Sequence, residues 1–252
     1  MANLINPEEL KAFAEALSLR EMPFAVYSSK DIPEGALTPK NSRCVIGVLR
    51  LARKKRLPAV SMNHDSLCPG GRVYMNLEGA VTDFIPAFVS TGMEGVFEGE
   101  RYCKSPEIVS RYLDQVRLEA DPLPYRVFKQ IDMLTENEIP EVIVFFENPD
   151  VLSGLFTLVQ FNAGDNETIV APFGAGCAGV YTWVKRYLQD GKERAVIAGF
   201  DPSARPFMAP DELTFSIPYS MFKSLMGCYR NSFLFTHSWQ VIKKRIQKGT
   251  AD

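Results

Sequence analysis

The chain has 252 residues, 46% of them hydrophobic and 23% charged, with a formal net charge of -2 and a pI near 5.9. This is the composition of a globular protein long enough to bury a sizeable core. It excludes a disordered polar chain and gives no global basic field for nucleic acid.

Met1-Ala2-Asn3-Leu4-Ile5-Asn6-Pro7 has neither a cationic start nor a long apolar run, so no export signal is read there. No stretch approaches the roughly 18 apolar residues that span a bilayer. The expected location is the cytoplasm, with no membrane partner. In that reducing compartment Cys44, Cys68, Cys103, Cys177 and Cys228 are expected as free thiols, ligands or nucleophiles.

Asn6-Pro7-Glu8-Glu9 opens a helix with an amide cap, a proline in the first turn and acids at the positive helix end; Leu10, Phe13, Ala14 and Leu17 follow at helical spacing. Pro23 to Tyr27 reads as a short buried strand, and Asp31 to Gly35 as a turn. Cys44 to Arg56 is an amphipathic helix ending in Arg53-Lys54-Lys55-Arg56. That basic run could hold a phosphate, but it is read as a solvated helix end complementing the dipole. Pro58 to Met62 is a second strand, followed by the loop Asn63 to Gly71. Ser105-Pro106-Glu107 starts another helix, and Asp121 to Pro124 stops it.

The pattern then restarts. Pro140 to Phe146 is a strand rich in β-branched and aromatic residues, Asn148-Pro149-Asp150 opens a helix, and Thr168 to Ala171 is a strand leading into Phe173-Gly174-Ala175-Gly176-Cys177-Ala178-Gly179. A helix through Tyr181, Val184 and Leu188, strands at Arg194–Ala198 and Leu213–Ile217, and a helix holding Met221, Phe222 and Leu225 complete the unit. The expected architecture is α/β: a single domain over residues 1–252 with one mixed or mostly parallel sheet and flanking helices. Matched element order suggests two similar strand–helix–strand halves, 20–120 and 136–228, each a crossover between parallel strands.

Two loops could carry chemistry. Cys68-Pro69-Gly70-Gly71 and Gly176-Cys177-Ala178-Gly179 both follow strands, and a parallel sheet places ligands beyond its strands' carboxyl ends. Glycines there allow close approach, exposed amides can cradle an anion, and a helix N-terminus would depress the thiol pKa of Cys177. The plainer alternative is turn glycines and packing thiols. Neither loop is a standard phosphate motif. Cys68 and Cys177 are therefore expected to face one cavity. His64 and Cys68 have a spacing compatible with metal ligation, so His64, Cys68 and Cys177 form a candidate metal set, and a zinc or iron–sulfur site built on thiols would need long-range assembly from Cys44, Cys68, Cys103 and Cys177.

After the strand at Arg194–Ala198, Asp201 and Arg205 could orient a carboxylate ligand, or Asp201 could simply accept amides of its own turn. Tyr181, Trp183 and Tyr187 suit either stacking or core packing. The closing segment, with Trp239, Val241, Ile242 and Ile246 among Lys243, Lys244 and Arg245, is read as a docking helix rather than a membrane-surface one.

Ile32-Pro33-Glu34-Gly35, Cys44 heading a helix with Ala52-Arg53, Cys68-Pro69-Gly70-Gly71, Pro140 to Val144, Asn148-Pro149, Cys177 and the Asp201-to-Arg205 turn together resemble the family called domain of unknown function 169. The resemblance runs from about Pro23 to Leu225 and transfers no reaction. It implies a cytoplasmic, often anaerobic setting, archaeal or bacterial, in which thiolates and oxygen-sensitive clusters survive. Three functions stay open: a binding protein for a small anionic or thiol-reactive ligand or a metal cofactor, an enzyme using Cys68 or Cys177 as nucleophile or redox thiol, and an interaction subunit with structural loops.

Overall fold

A computed structural model describes residues 5–79 and 81–249; the first four residues of the N-terminal segment lie outside it. The strands are β1 (Phe24–Ser29), β2 (Ala59–Met62), β3 (Gly92–Met93), β4 (Phe97–Glu98), β5 (Tyr125–Gln130), β6 (Val142–Glu147), β7 (Ile169–Val170), β8 (Ala195–Ala198) and β9 (Leu213–Pro218). The helices are α1 (Pro7–Leu17), α2 (Val45–Lys55), α3 (Pro69–Tyr74), α4 (Phe84–Val89), α5 (Pro106–Val116), α6 (Pro149–Gln160), α7 (Trp183–Gln189), α8 (Tyr219–Cys228) and α9 (His237–Gly249). Seven strands form one sheet in the order β2-β5-β1-β6-β9-β8-β7, and β3 and β4 form a small hairpin.

The sheet is mixed but mostly antiparallel; among its described strands only β7 and β8 pair in parallel. β5 is the reason on one side. It lies between β1 and β2, antiparallel to both, so the two strands joined by α2 run the same way without touching. β5 hides in the sequence because Arg126 and Lys129, at 0% and 8% exposure, stand where a buried strand should carry apolar residues. The Arg126 guanidinium is held by the Met75 carbonyl, Ser28, Asp121 and Glu141, and lies over the Tyr181 ring at 4.1 Å. A buried charge persists only with such partners.

Both faces of the sheet are covered, so β6 is buried throughout instead of alternating. Phe24, Val26, Val142, Val144, Val60 and Phe128 face one core with α2, α3, α5 and α7. Ala25, Ile143, Phe145, Phe215 and Ile217 face the other with α1, α6, α8 and α9. The two proposed halves therefore differ: α2 crosses one face over a single intervening strand, whereas α6 crosses the opposite face on the way to β7, past β9 and β8. A rotation that lays β1 on β6 does not bring α2 onto α6, and the structure lends the duplication no support.

Local signals behave as the side chains dictate. Asn6 caps α1 by accepting the Glu8 amide at 2.8 Å, and Asn148 caps α6 through the Val151 amide at 2.9 Å. The basic run at the end of α2 is only partly solvated. Lys54 and Lys55 are exposed, but Arg53 packs over Phe146 at 4.4 Å and is paired with Glu21 and, bidentately, with Glu212 at 2.6 and 2.8 Å. The expectation of a wholly solvated helix end fails at Arg53, because the helix C-terminus is tucked against two acids of neighbouring loops. α9 docks rather than floats: Trp239 and Ile246 are buried, and the Trp239 indole N–H donates to the Ala16 carbonyl at 2.8 Å. Among the described residues no helix is long and apolar enough to cross a membrane.

Candidate functional site

Three segments meet over the α2–α7 face of the sheet. Cys44 is the residue before α2, Cys68 the residue before α3, and Cys177 lies in the first turn of a helix spanning 176–189. Their meeting does not follow from a shared strand end, since β2 runs opposite to β7 and β8. It follows from the three helices packing into one core on one face.

A cavity of about 440 Å³ lies where they converge. Cys44, Cys68 and Cys177 all line it, with Gly70, Gly71, Gly174, Ala175 and Gly176 supplying backbone walls. Aromatic rings form much of the rest: Tyr74, Phe84, Phe88, Tyr102, Tyr112, Phe173 and Phe207. Phe84 and Phe88 stack at 5.6 Å, Tyr112 meets Phe173 edge-on at 5.8 Å, and Phe84 and Phe173 are half-exposed at the rim. Among the described lining residues Asp201 carries the sole charge, and none is Lys, Arg or His.

Asp201 is spoken for. One carboxylate oxygen accepts the Gly176 amide at the start of the 176–189 helix; the other accepts the amides of Ser203 at 3.0 Å and Ala204 at 3.1 Å and the Ser203 hydroxyl. It is the self-bonded turn, extended to cap a neighbouring helix. Arg205 does not reach the cavity. Its guanidinium is directed to the carbonyls of Gly199, Ala209, Pro210 and Glu212, clamping the loop from β8 to β9. Neither residue is arranged to hold a carboxylate ligand.

The glycines divide by purpose. At Gly176 a Cβ would stand 2.7 Å from the Ala204 Cβ, and at Gly174 it would collide with the Tyr112 hydroxyl, so close packing excludes side chains from this wall. Gly179 is not in the lining; it lies in a π-helical turn, Ala178–Thr182, pressed against Ala198 of β8.

Burial sets the thiol chemistry. Cys177 is buried, and desolvation, with Cys68, Cys44 and Asp201 nearby, pushes its thiol well above the usual range. The expected depression is overturned: a helix N-terminus does not offset loss of water when Asp201 already caps that end. Burial also raises Cys44, against a smaller opposing pull from the Ile46 and Gly47 amides. The Sγ of Cys68 accepts the Gly71 amide at 3.4 Å.

His64 lies away from the cavity, half-exposed, 3.2 Å from Asp65 and 3.7 Å from Glu78. The set His64, Cys68 and Cys177 is therefore not assembled. Among the described residues no three His, Cys, Asp or Glu side chains are placed to hold a metal ion.

The aromatic wall was invisible in the sequence. Phe84 and Phe88 do carry an i, i+4 signal, but Pro86 between them and the short length of α4 obscure it. Cys44 heads its helix in the sequence, yet only the fold brings it beside Cys68.

The model of domain of unknown function 169, described as "Uncharacterised ArCR", matches residues 12–227. The chain belongs to this family. No curated protein and no solved structure matches it significantly. The DUF169 match includes every residue of the cavity lining.

Proposed function

We propose that this DUF169 protein binds a small, neutral, largely apolar ligand with a thiol-reactive or sulfur-seeking group. The observation that carries the reading is the cavity of about 440 Å³, within the size range of small-molecule sites, lined by aromatic rings and three thiols. An anionic ligand fits less well, because the lining offers no cation and its one carboxylate is already engaged. A metal ion is not supported by the side-chain placement. A nucleophilic Cys177 is not favoured either, since burial opposes its thiolate.

Competing alkylation tests this reading. N-Ethylmaleimide is neutral and iodoacetate is an anion, so an apolar cavity without cations should favour the first. Relative to Cys228, which lies on the opposite face of the sheet, Cys44 and Cys68 are expected to prefer the maleimide by about tenfold or more. At Gly70 a Cβ would meet nothing closer than the Tyr74 ring at 3.9 Å, so Gly70→Phe should fold and slow labelling at both sites. Equal preference at all three cysteines, with no effect of Gly70→Phe, would refute the cavity as a ligand site.

A further inference from the structure

The backbone around two of the cavity thiols is arranged in register. Arg43 and Leu67 form a parallel β-bridge, with the Arg43 amide donating to the Ser66 carbonyl and the Cys68 amide to the Arg43 carbonyl, each at 3.0 Å. Cys44 and Cys68 are the next residues along, and both are extended, with φ/ψ of -70/132° and -64/161°. Residues at matched positions of parallel segments project to the same side, with Cα atoms about 4.8 Å apart. Disulfides require Cα separations of about 4.4–6.8 Å.

Gly71 closes that corner, and a Cβ there would stand 3.3 Å from the Cys68 Sγ and 3.2 Å from Val45, the residue after Cys44. Both thiols are half-buried and line the cavity, whereas Cys177 is buried. A reagent entering the cavity therefore meets the pair first.

We propose that Cys44 and Cys68 are a redox-active dithiol, oxidised to a disulfide by exchange with a low-molecular-weight disulfide. The Cys68 thiolate attacks one sulfur of R–S–S–R, forming a Cys68–S–S–R bond and expelling RS⁻. The Cys44 thiolate then attacks the Cys68 sulfur, forming the Cys44–Cys68 bond and expelling a second RS⁻. The protein loses two electrons, the small disulfide gains them, and the two thiol protons pass through solvent to the two released thiolates. The sequence pointed to Cys68 with Cys177; the register replaces Cys177 with Cys44. The pairing rests on the bridge alone. Only the preference for an uncharged disulfide rests on the cavity as a ligand site.

The test uses fully reduced protein, incubated separately with neutral 2-hydroxyethyl disulfide and with charged glutathione disulfide, then quenched in acid and alkylated. Tryptic mapping should recover residues 44–50 linked to residues 57–72, with one bond per chain, from either oxidant. Cys228→Ser should leave that product unchanged. Cys44→Ser should instead trap a stable mixed disulfide on Cys68, because the resolving thiol is gone. A mixed disulfide persisting on Cys68 in the unaltered protein, a Cys68–Cys177 link, or free Cys44 and Cys68 thiols that alkylate readily yet never join would each overturn the pairing. A bond formed equally fast with both oxidants would retain the pairing and count against the neutral-ligand cavity.

Discussion

Glu147 ends β6 with one carboxylate oxygen accepting the Arg20 amide at 2.9 Å and the other buried without a hydrogen-bond partner. Desolvation raises its pKa to about 8, against the weaker downward pull of Arg20. A group whose pKa rises on folding favours the folded state most below its unfolded value, near 4.5, and loses that contribution as pH climbs through about 8. Within that window the loss is about 1.4 kcal/mol per pH unit. Glu147→Gln keeps the shape and removes the titration. The variant should match the parent near pH 5 and exceed it in stability at pH 9 by on the order of a few kcal/mol, read from urea midpoints. Asp121, Glu138 and Glu141, all held below the usual carboxylate range by cationic or hydroxyl partners, titrate alike in both proteins and cancel in the difference. Parallel pH profiles for the two proteins would show that the buried carboxyl does not titrate in this window.

The helix over 176–189 shows how an element is fitted to the sheet. Its π-helical turn, Ala178–Thr182, sits over β8, and a Cβ at Gly179 would lie 2.1 Å from the Ala198 Cβ. A π turn widens the helix by one residue, a feature seen often at functional sites. Here it carries the chain from the cavity wall at Gly176 to the buried ring of Tyr181. Replacing a helical glycine by alanine normally helps by up to about 1 kcal/mol, but overpacking costs about 1–3 kcal/mol. The clash involves a rigid strand, so packing should win: Gly179→Ala is expected to destabilise, and Ala198→Gly in the same chain to recover much of the loss. Chemical denaturation of the two single variants and the double variant measures the coupling. Additive effects would mean that the helix shifts freely over β8.

At the scale of the whole molecule, one sheet carries two cores, and α9 seals the one remote from the cavity. The Trp239 ring lies against Gly154 of α6, where a Cβ would stand 2.3 Å from it, and meets Phe233 edge-on at 5.4 Å. Trp239→Ala removes that packing and the bond to Ala16, at a cost of about 3–5 kcal/mol. Because β1, β6 and β8 contribute side chains to both cores, the loss should reach the cavity side as well. Trp183, on that side, is then the sole tryptophan. Its fluorescence and the far-ultraviolet circular dichroism are expected to shift together to a lower midpoint. A Trp183 transition left at its original midpoint would divide the protein into two independently folding layers.

Where local physics decides, the sequence was legible. Asn6-Pro7 and Asn148-Pro149 start helices because a side-chain acceptor and a first-turn proline act within a few residues, and the Val-Ile-Val-Phe-Phe run of β6 is buried on both faces in whatever sheet receives it. The family resemblance rested on such short motifs, and the family match covers them. Strand order was not legible. β5 inserts between β1 and β2, and its buried Arg126 and Lys129 are tolerable only because Asp121, Glu138 and Glu141, from the loops on either side of the strand, fold back onto them. The site was legible in part. Cys68, Cys177, Gly70, Gly71 and Gly176 stand out locally as candidates, and the structure lays them along one cavity, while Gly179 is turned to β8. The same structure leaves His64 and Arg205 outside it and commits Asp201 to capping. The aromatic wall, and the nearness of Cys44 to Cys68, entered through tertiary structure alone, since both depend on which face each helix covers. Burial, a property of the assembled core, also reversed the expected acidity of Cys177, because removing water from a thiolate outweighs the pull of a helix end already capped by Asp201.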